Sequence, residues 1–279
     1  MTTGVHTRRL GIWDLPAGRF WAWAAEHFRH PGGALRFQVR LGSPAECAAW
    51  LRGGEVDLAL ISPLEYARYH EHYELLPQVS VSTRSANPTA RLFLGKPLDA
   101  IRTIALDPRA VLEAVVAYLV LLEHYQEKPA FVPLRKPDLQ EGLHRADAVL
   151  LVGEEALLTP YQGVVLDLGQ EWFELTTMPM VWGLWAAPPE TLDDATVSAF
   201  LELARWAESH RSRYVCGLEP FEVYRDYFDQ LRIDLDAHLK AGLEDFLEYC
   251  FLHGLLEEVP MLDFYRWPPP EKADAEART

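Results

Sequence analysis

The feature that most constrains the fold is a regular alternation of short apolar runs with segments of helical length. Several runs are apolar at consecutive positions, as at 148–152 and 181–187, which is typical of parallel strands buried on both faces. Strands that alternate with helices indicate βαβ units, so the sequence predicts an open α/β sheet. Ten runs are predicted to be strands: 10–13, 35–39, 56–61, 79–81, 90–94, 103–106, 130–132, 148–152, 164–168 and 181–187.

Several helix starts carry a capping residue or a proline. Ser43 and Ser62 are each followed by Pro and, three positions on, by Glu, which is the pattern of a capping box. Turns from strand to helix lie at the carboxyl edge of an α/β sheet, where ligands bind and free N–H groups attract anions. A shared ligand crevice is therefore expected, although each turn alone can be a simple cap. The turns that follow a strand are Asp14-Leu15-Pro16, Ser62-Pro63, Asp107-Pro108 and Gly153-Glu154.

Three longer helices and a tail complete the expected organisation. The segment 110–125 is apolar nearly all round and is predicted to be buried, whereas 191–211 and 236–256 show the one-sided pattern of amphipathic helices. The tail, residues 268–279, is rich in proline and then in charge, and it is expected to be loose.

Charge restricts the class of partner. The chain has 26 basic and 41 acidic residues, a formal net charge of −15, so nucleic acids and anionic membranes would be repelled. A small anionic ligand must instead be held by local donors. The three cysteines, Cys47, Cys216 and Cys250, are odd in number and widely spaced, which favours neither a disulfide framework nor a zinc site.

The sequence also bears on location and on chemistry. Residues 1–9 lack the apolar core of a signal peptide, and the longest apolar run, 114–122, follows Glu113 and is too short to cross a bilayer. We therefore expect a cytoplasmic protein. Dinucleotide, P-loop, nucleophile-elbow and zinc-protease motifs are missing, and His70 and His72 lie two positions apart, which a helix does not place on one face. Most tryptophans are expected in the core, with Trp13 at a strand end as the best exception.

A set of segments in one order, from about Arg9 to Phe264, resembles the menaquinone-biosynthesis chorismate dehydratase family. A match that keeps its order over most of a chain is far more specific than a single motif. The segments are GEVDLALI at 54–61, EY at 65–66, ADAVLLVG at 146–153, DLGQEW at 167–172, LT at 175–176, WAA at 185–187, GLEDF at 242–246 and HGL at 253–255.

The resemblance implies a two-lobed, type 2 periplasmic-binding-protein-like α/β fold with a ligand cleft between the lobes. Lobe one would comprise residues 1–87 and 183–267, and lobe two residues 88–182, with crossings near Asn87 and near 182–185. It also implies that chorismate loses water to give 3-[(1-carboxyvinyl)oxy]benzoate, in the futalosine route to menaquinone. Because aromatisation drives the reaction, no metal or other cofactor is expected, and the only partner expected is a small anionic substrate.

This chain departs from the family pattern at three places. The functional Asn of the family's opening motif corresponds to Ala17. The Ser-Arg-Gly motif corresponds to the stretch 82–89, which is similar but shifted in detail. A helix start rich in Ser and Thr keeps its Asp, as Asp107, but Pro108 and Arg109 stand where hydroxyls are usual.

Candidate site residues follow from the strand ends and from these motifs. Arg109 is the preferred carboxylate anchor, because its planar fork matches a carboxylate; the alternative is a solvated side chain. Asp14 and Glu154 are the candidates for catalysis, and Asp14 is favoured because Trp13 would desolvate it; the alternative is that Asp14 only caps the next helix. The full set predicted to line the cleft is Trp13, Asp14, Ser62, Ser82, Thr83, Ser85, Asn87, Asp107, Arg109, Gly153 and Glu154.

Three functions remain open from the sequence. The first is a chorismate dehydratase or a close hydro-lyase. The second is the related synthase that releases dihydroxynaphthoate from a futalosine derivative. The third is a non-catalytic binder or sensor of a small carboxylate, since binding is the ancestral role of the fold.

Overall fold

A computed structural model of the chain describes residues 6–30 and 35–268. Within these residues there are eleven strands and eleven α-helices. The strands are β1 (His6–Trp13), β2 (Leu35–Gly42), β3 (Leu58–Ile61), β4 (Glu74–Thr83), β5 (Ala90–Leu94), β6 (Thr103–Leu106), β7 (Ala130–Pro133), β8 (Ala148–Val152), β9 (Val165–Asp167), β10 (Met180–Ala187) and β11 (Leu231–Asp234). The helices are α1 (Pro16–His27), α2 (Pro44–Arg52), α3 (Pro63–Arg68), α4 (Val111–Glu123), α5 (Leu139–Arg145), α6 (Glu154–Leu158), α7 (Leu168–Thr176), α8 (Asp194–Ser209), α9 (Arg211–Val215), α10 (Phe221–Gln230) and α11 (Ala237–Leu252).

The strands form two separate sheets. The first has six strands in the order β11-β4-β10-β3-β1-β2, with β1 parallel to β2 and β3, and β10 antiparallel to β3 and β4. The second has five strands in the order β7-β6-β8-β5-β9, with β6 parallel to β7 and β8. Helices pack against both sheets, and the predicted α/β fold is confirmed.

All ten predicted runs overlap strands of the structure. Strand β11, which pairs with β4 at the edge of the first sheet, is not predicted by the sequence pattern. Its sequence, LRID, alternates apolar and charged side chains, and two of its four residues are only partly buried. Such a short alternating edge strand lacks the continuous apolar run that marked the others.

The first sheet takes strands from both ends of the chain, and the second takes strands only from 90–167. We propose that they are the cores of two lobes, the first lobe also containing α1–α3 and α8–α11 and the second lobe α4–α7. The predicted boundary between 182 and 183 falls inside β10, whose residues from Met180 onward pair in the first sheet. The return crossing therefore precedes Met180.

The helix caps agree with the sequence in part. Ser43 forms the predicted capping box with Glu46, and the Ser62 hydroxyl accepts from the Glu65 backbone N–H at 3.1 Å. The side chain of Glu65 does not close a second box, because it accepts from the Tyr73 hydroxyl at 2.6 Å. Asp107 does not cap α4, whose first residue is Val111, because its carboxylate is bound elsewhere.

The core and the long helices match expectation. Trp21 and Trp185 are fully buried and meet edge to face, with ring centroids 5.3 Å apart. The predicted buried helix is α4, and the two predicted amphipathic helices are α8 and α11. Among the described residues no helix is both long and apolar enough to cross a membrane. The tail from 269 onward, predicted to be loose, lies outside the described residues.

The outgoing crossing is tied to α7 by one carboxylate. Oδ1 of Asp167 accepts the backbone N–H groups of Asn87, Gly169 and Gln170 at 2.7, 3.0 and 3.1 Å. A Cβ at Gly169 would lie 2.4 Å from the Ser85 carbonyl oxygen, so only glycine allows this approach. These contacts hold the N-terminus of α7 against the segment around Asn87 that connects the two sheets.

We expect Asp167→Ala to lower the free energy of unfolding by about 2–4 kcal/mol, because it removes a helix cap and leaves the Asn87 N–H unpaired. Asp167→Asn is the matched control. Burial raises the pKa of Asp167 in spite of its N–H donors, so the amide oxygen should replace the carboxylate at a cost below about 1.5 kcal/mol. Urea denaturation measures both, and equal losses would contradict the role of the acceptor oxygen.

Candidate functional site between the lobes

A small cavity lies between the two lobes, at the ends of β1, β4, β8 and β10. Its volume is about 30 Å³, room for one or two water molecules, whereas ligand sites usually enclose about 300–1,000 Å³. The structure therefore shows a closed cleft. The cavity is too small for the expected anionic substrate, so the lobes must separate before such a ligand can enter. The lining residues are Trp13, Leu15, Pro16, Ala17, Val81, Thr83, Asn87, Thr89, Glu113, Val152, Gly153, Trp182, Tyr227 and Leu231.

Four of the predicted site residues line this cavity: Trp13, Thr83, Asn87 and Gly153. Trp13 is 5% exposed, and its indole N–H is buried with no acceptor among the described residues. Its ring approaches β10 closely because Gly183 has no side chain: a Cβ there would be 2.8 Å from the Trp13 ring. A ligand oxygen would satisfy this N–H.

Gly153 brings the second lobe into contact with the first. Its φ of 72° is a left-handed conformation that favours glycine, and a Cβ would lie 2.7 Å from Leu15 at the start of α1. Asn87 and Thr83 are held from within the protein. The side-chain amide oxygen of Asn87 accepts from the Thr89 hydroxyl at 2.7 Å, and the Thr83 hydroxyl accepts from the Trp182 indole N–H at 3.0 Å.

Three predicted lining residues have other positions. Ser62 caps α3, as described above, and is not part of the lining. Ser82 lies between Val81 and Thr83 on β4 and so faces the opposite side of the sheet, where it accepts from the Ser80 hydroxyl at 3.2 Å. Ser85 is also outside the lining; its carbonyl accepts from the Thr83 hydroxyl at 3.1 Å.

Arg109 is held by acceptors of the protein rather than solvated. Its Nε and Nη2 donate to the two oxygens of Asp107 at 3.0 and 2.8 Å, and Nη2 also reaches the Val152 carbonyl at 2.9 Å and Glu155 at 2.6 Å. Burial lowers the pKa of Arg109, but the bonds to Asp107 and Glu155 outweigh it and hold that pKa above its usual value. The alternative of a solvated side chain is wrong.

Arg109, predicted to line the cleft, is not among the lining residues of the closed cavity, but one of its nitrogens lies beside the wall. Nη1 takes part in none of these bonds, and it would lie 3.8 Å from a Cβ at Gly153, which lines the cavity. Asp107 itself is fully buried and is not in the lining, so its predicted place at the ligand is wrong. Its carboxylate instead orients the guanidinium of Arg109 behind the Gly153 wall of the cavity.

Asp14 and Glu154 join the lobes rather than line the cavity. The Arg19 guanidinium on α1 donates to Asp14 at 2.7 Å and, across the cleft, to Glu154 at 2.8 Å. Glu154 also accepts from the Tyr224 hydroxyl on α10 at 2.6 Å. We call the contacts of Arg19 and Tyr224 with Glu154 the Arg19 bridge.

This arrangement corrects both interpretations of Asp14. Its side chain is 49% exposed, so Trp13 does not desolvate it. It does not cap α1 either, because the N-cap is Leu15 and no side chain accepts there. In this closed conformation both Asp14 and Glu154 are occupied by Arg19, which leaves neither as a free base.

Sequence reasoning missed Glu113, in the first turn of α4. It lies on the cavity wall, and burial raises the pKa of its carboxyl to about 7. The signal was present, since Glu113 is a single acid directly before the longest apolar run of the chain. Tyr227, on α10, was also missed; it is 2% exposed and lines the cavity from the first lobe.

Comparisons with known proteins agree with this architecture. A family model described as menaquinone biosynthesis matches residues 8–252. The chain belongs to this family. A chorismate dehydratase from Thermus thermophilus is 28% identical over 239 residues, which cover 76% of this chain and 86% of that protein.

Solved structures show the same fold, one of them in a binding protein. A protein from Archaeoglobus fulgidus superimposes with a TM-score of 0.68 at 19% identity, covering 90% of this chain and 99% of that one. The periplasmic aliphatic sulphonate binding protein of Escherichia coli gives a TM-score of 0.65 at 14% identity, covering 92% and 96%. These likenesses confirm the predicted periplasmic-binding-protein-like fold. Ala17, where the family is expected to have Asn, lies on the cavity wall.

We expect Arg109→Ala to lower the free energy of unfolding by about 3–5 kcal/mol, because it leaves the carboxylate of Asp107 buried without its cation. The double variant Asp107→Ala/Arg109→Ala removes both charges and should lose clearly less than the single variant. Chemical denaturation at neutral pH measures the difference. Equal losses in the two variants would show that Asp107 gains nothing from the guanidinium.

We expect Arg19→Ala to open the cleft in the free protein and to increase the radius of gyration measured by small-angle scattering. The bridging side chains are 41% and 36% exposed, so the free energy of unfolding should change by less than about 1 kcal/mol. Arg225→Ala is the control, because the contacts of Arg225 among the described residues are with Glu222, Asp226 and Phe221 on its own helix, α10. An unchanged radius in Arg19→Ala would mean that other contacts hold the lobes together.

Proposed function

We propose that this protein removes water from chorismate and forms 3-[(1-carboxyvinyl)oxy]benzoate. The supporting observation is that three segments set apart by the family resemblance converge on one cavity. Ala17 comes from the opening motif, Thr83 and Asn87 from the second, and Glu113 from the helix that follows the third. The dehydratase from Thermus thermophilus matches 76% of this chain.

The cleft offers the donors that a dianion requires. Within the described part of the chain the Trp13 indole N–H has no acceptor, and Nη1 of Arg109 lies beside the Gly153 wall. Helix α1 starts at the cavity with Pro16. The backbone N–H groups at the start of a helix have no carbonyl acceptor one turn earlier in the helix. A helix N-terminus of this length favours negative charge. These local donors would hold an anion in a protein whose net charge is −15.

Closure of the cleft contributes to the chemistry. A reaction that ends in an aromatic ring needs its proton acceptor and its hydroxyl donor to be aligned, and exclusion of water strengthens those contacts. The buried walls of Trp13, Val81 and Trp182 would exclude water around a bound ring. We place the reaction in the cytoplasm, within the futalosine route, as part of this proposal.

A second candidate is a binder that retains the fold without catalysis. Ala17 supports it, because an alanine side chain neither donates nor accepts where the family has a functional amide. The sulphonate binding protein shows that the fold also occurs in a protein named for binding. The two candidates differ in one observable, which is turnover of the bound ligand.

We expect purified protein to convert chorismate into an aromatic product that has lost one water, followed by mass spectrometry and by the loss of diene absorbance. The rate should exceed the spontaneous decay of chorismate in a sample with heat-inactivated protein. Calorimetry with chorismate, and with shikimate as a ligand lacking the enolpyruvyl group, reports binding separately. Binding of chorismate without dehydration over hours would refute the enzyme and favour the binder.

A further inference from the structure

Glu113 is the one carboxylate among the lining residues of the cavity. The other acids nearby already have cationic partners. Asp107 and Glu155 are bound to Arg109, and Asp14 and Glu154 are bound to Arg19. The Glu113 side chain has neither of these arginines as a hydrogen-bond partner, and it lies where α4 begins, on the second-lobe wall of the cleft.

The surroundings of Glu113 favour a group that can both accept and release a proton. Burial and, to a smaller extent, the negative charge of Asp107 raise the pKa of its carboxyl to about 7, although its own backbone N–H and the positive charge of Arg109 act to lower it. Tyr227 faces the same cavity from α10, and burial raises the pKa of its hydroxyl, so the phenol stays neutral. Among the described residues, Arg109 is the cation whose charge acts on this carboxyl.

The stereochemistry of chorismate makes a single carboxyl sufficient. The enolpyruvyl ether at C3 and the hydroxyl at C4 lie on opposite faces of the ring. The hydrogen on C3 is therefore on the same face as the C4 hydroxyl. A carboxylate on that face reaches both the proton to be removed and the oxygen that departs.

We propose that Glu113 is the catalytic residue that takes the C3 proton and returns it to the C4 hydroxyl. The inference rests on the proposed dehydratase function. The C3–H electron pair becomes the C3–C4 double bond, the C4–O bond breaks, and the hydroxyl leaves with the transferred proton as water. Glu113 ends the cycle as the carboxylate that began it, so no oxidant, reductant or further reactant is needed.

The test compares Glu113→Gln with Glu123→Gln, the same substitution at the other end of α4. Glu123 is exposed and pairs with His253, away from the cavity. We expect Glu113→Gln to lower kcat for chorismate at least about a hundredfold, as loss of a general base does, with KM within about threefold. Glu123→Gln should retain wild-type values.

The pH profile provides a readout that a structural role would not produce. The carboxylate form is the active base, so wild-type kcat/KM should rise with pH to a plateau, with a midpoint near 7. In Glu113→Gln this rise of kcat/KM with pH should disappear. A Glu113→Asp variant shortens the side chain but keeps the acid, so its kcat/KM should still rise with pH, at a lower overall rate. This variant is used for the test if Glu113→Gln does not fold.

The outcomes separate this inference from the proposed function. If wild-type protein dehydrates chorismate and Glu113→Gln keeps more than about a third of its kcat, the role of Glu113 is wrong and the dehydratase stands. A wild-type profile that is flat between pH 5 and 9 would overturn the role as well. If wild-type protein does not dehydrate chorismate at all, both proposals fail together.

Discussion

The second wall of the cleft depends on the buried ion pair between Asp107 and Arg109. The Asp107 carboxylate accepts from the Arg109 side chain, from the Arg109 backbone N–H at 3.0 Å and from the Val152 N–H at 3.2 Å. It thereby connects the ends of β6 and β8 and fixes the turn that leads into α4. Because Glu113 lies in the first turn of that helix, its position at the cavity follows from this pair.

A buried ion pair of this kind is weak evidence for stability, because the desolvation of two charges offsets much of their attraction. Its effect here is orientation. With Nε and Nη2 occupied, the guanidinium can rotate little, and Nη1 is the nitrogen left beside Gly153. The arginine that the sequence suggested as a free anchor is instead a fixed donor, which costs less entropy on binding than a mobile side chain.

The sequence determined the strands well, because burial on both faces produces continuous apolar runs such as 148–152. It did not determine which polar side chains remain free for a ligand. Asp14 and Asp107 both follow strands, yet each accepts hydrogen bonds from an arginine. Arg19 binds Asp14, and Arg109 binds Asp107. Such partnerships depend on contacts that strand and helix periodicity does not encode. Tyr227 joins the cavity from a helix more than a hundred residues beyond Glu113, for the same reason.

Closure of the cleft rests on contacts of modest strength. The Arg19 bridge connects α1 and α10 of the first lobe to Glu154 of the second, but its side chains are partly exposed. Exposed ion pairs contribute about 0–1 kcal/mol, so thermal opening is compatible with the closed form seen here. A ligand that contacts both walls binds the closed form more tightly and so shifts the equilibrium between open and closed cleft toward closure. A ligand that contacts only one wall would not shift it.

A dianionic ligand also changes the carboxyl that it meets. Two carboxylates brought near Glu113 favour its protonated form, which lowers repulsion on binding but leaves fewer molecules with an active base. Nη1 of Arg109 and the N-terminus of α1 act in the opposite direction, because their positive potential stabilises both the ligand and the ionised Glu113. The same few donors therefore set affinity and basicity together. In a chain that has alanine at position 17, the balance between them decides whether the closed cleft only binds its anion or also converts it.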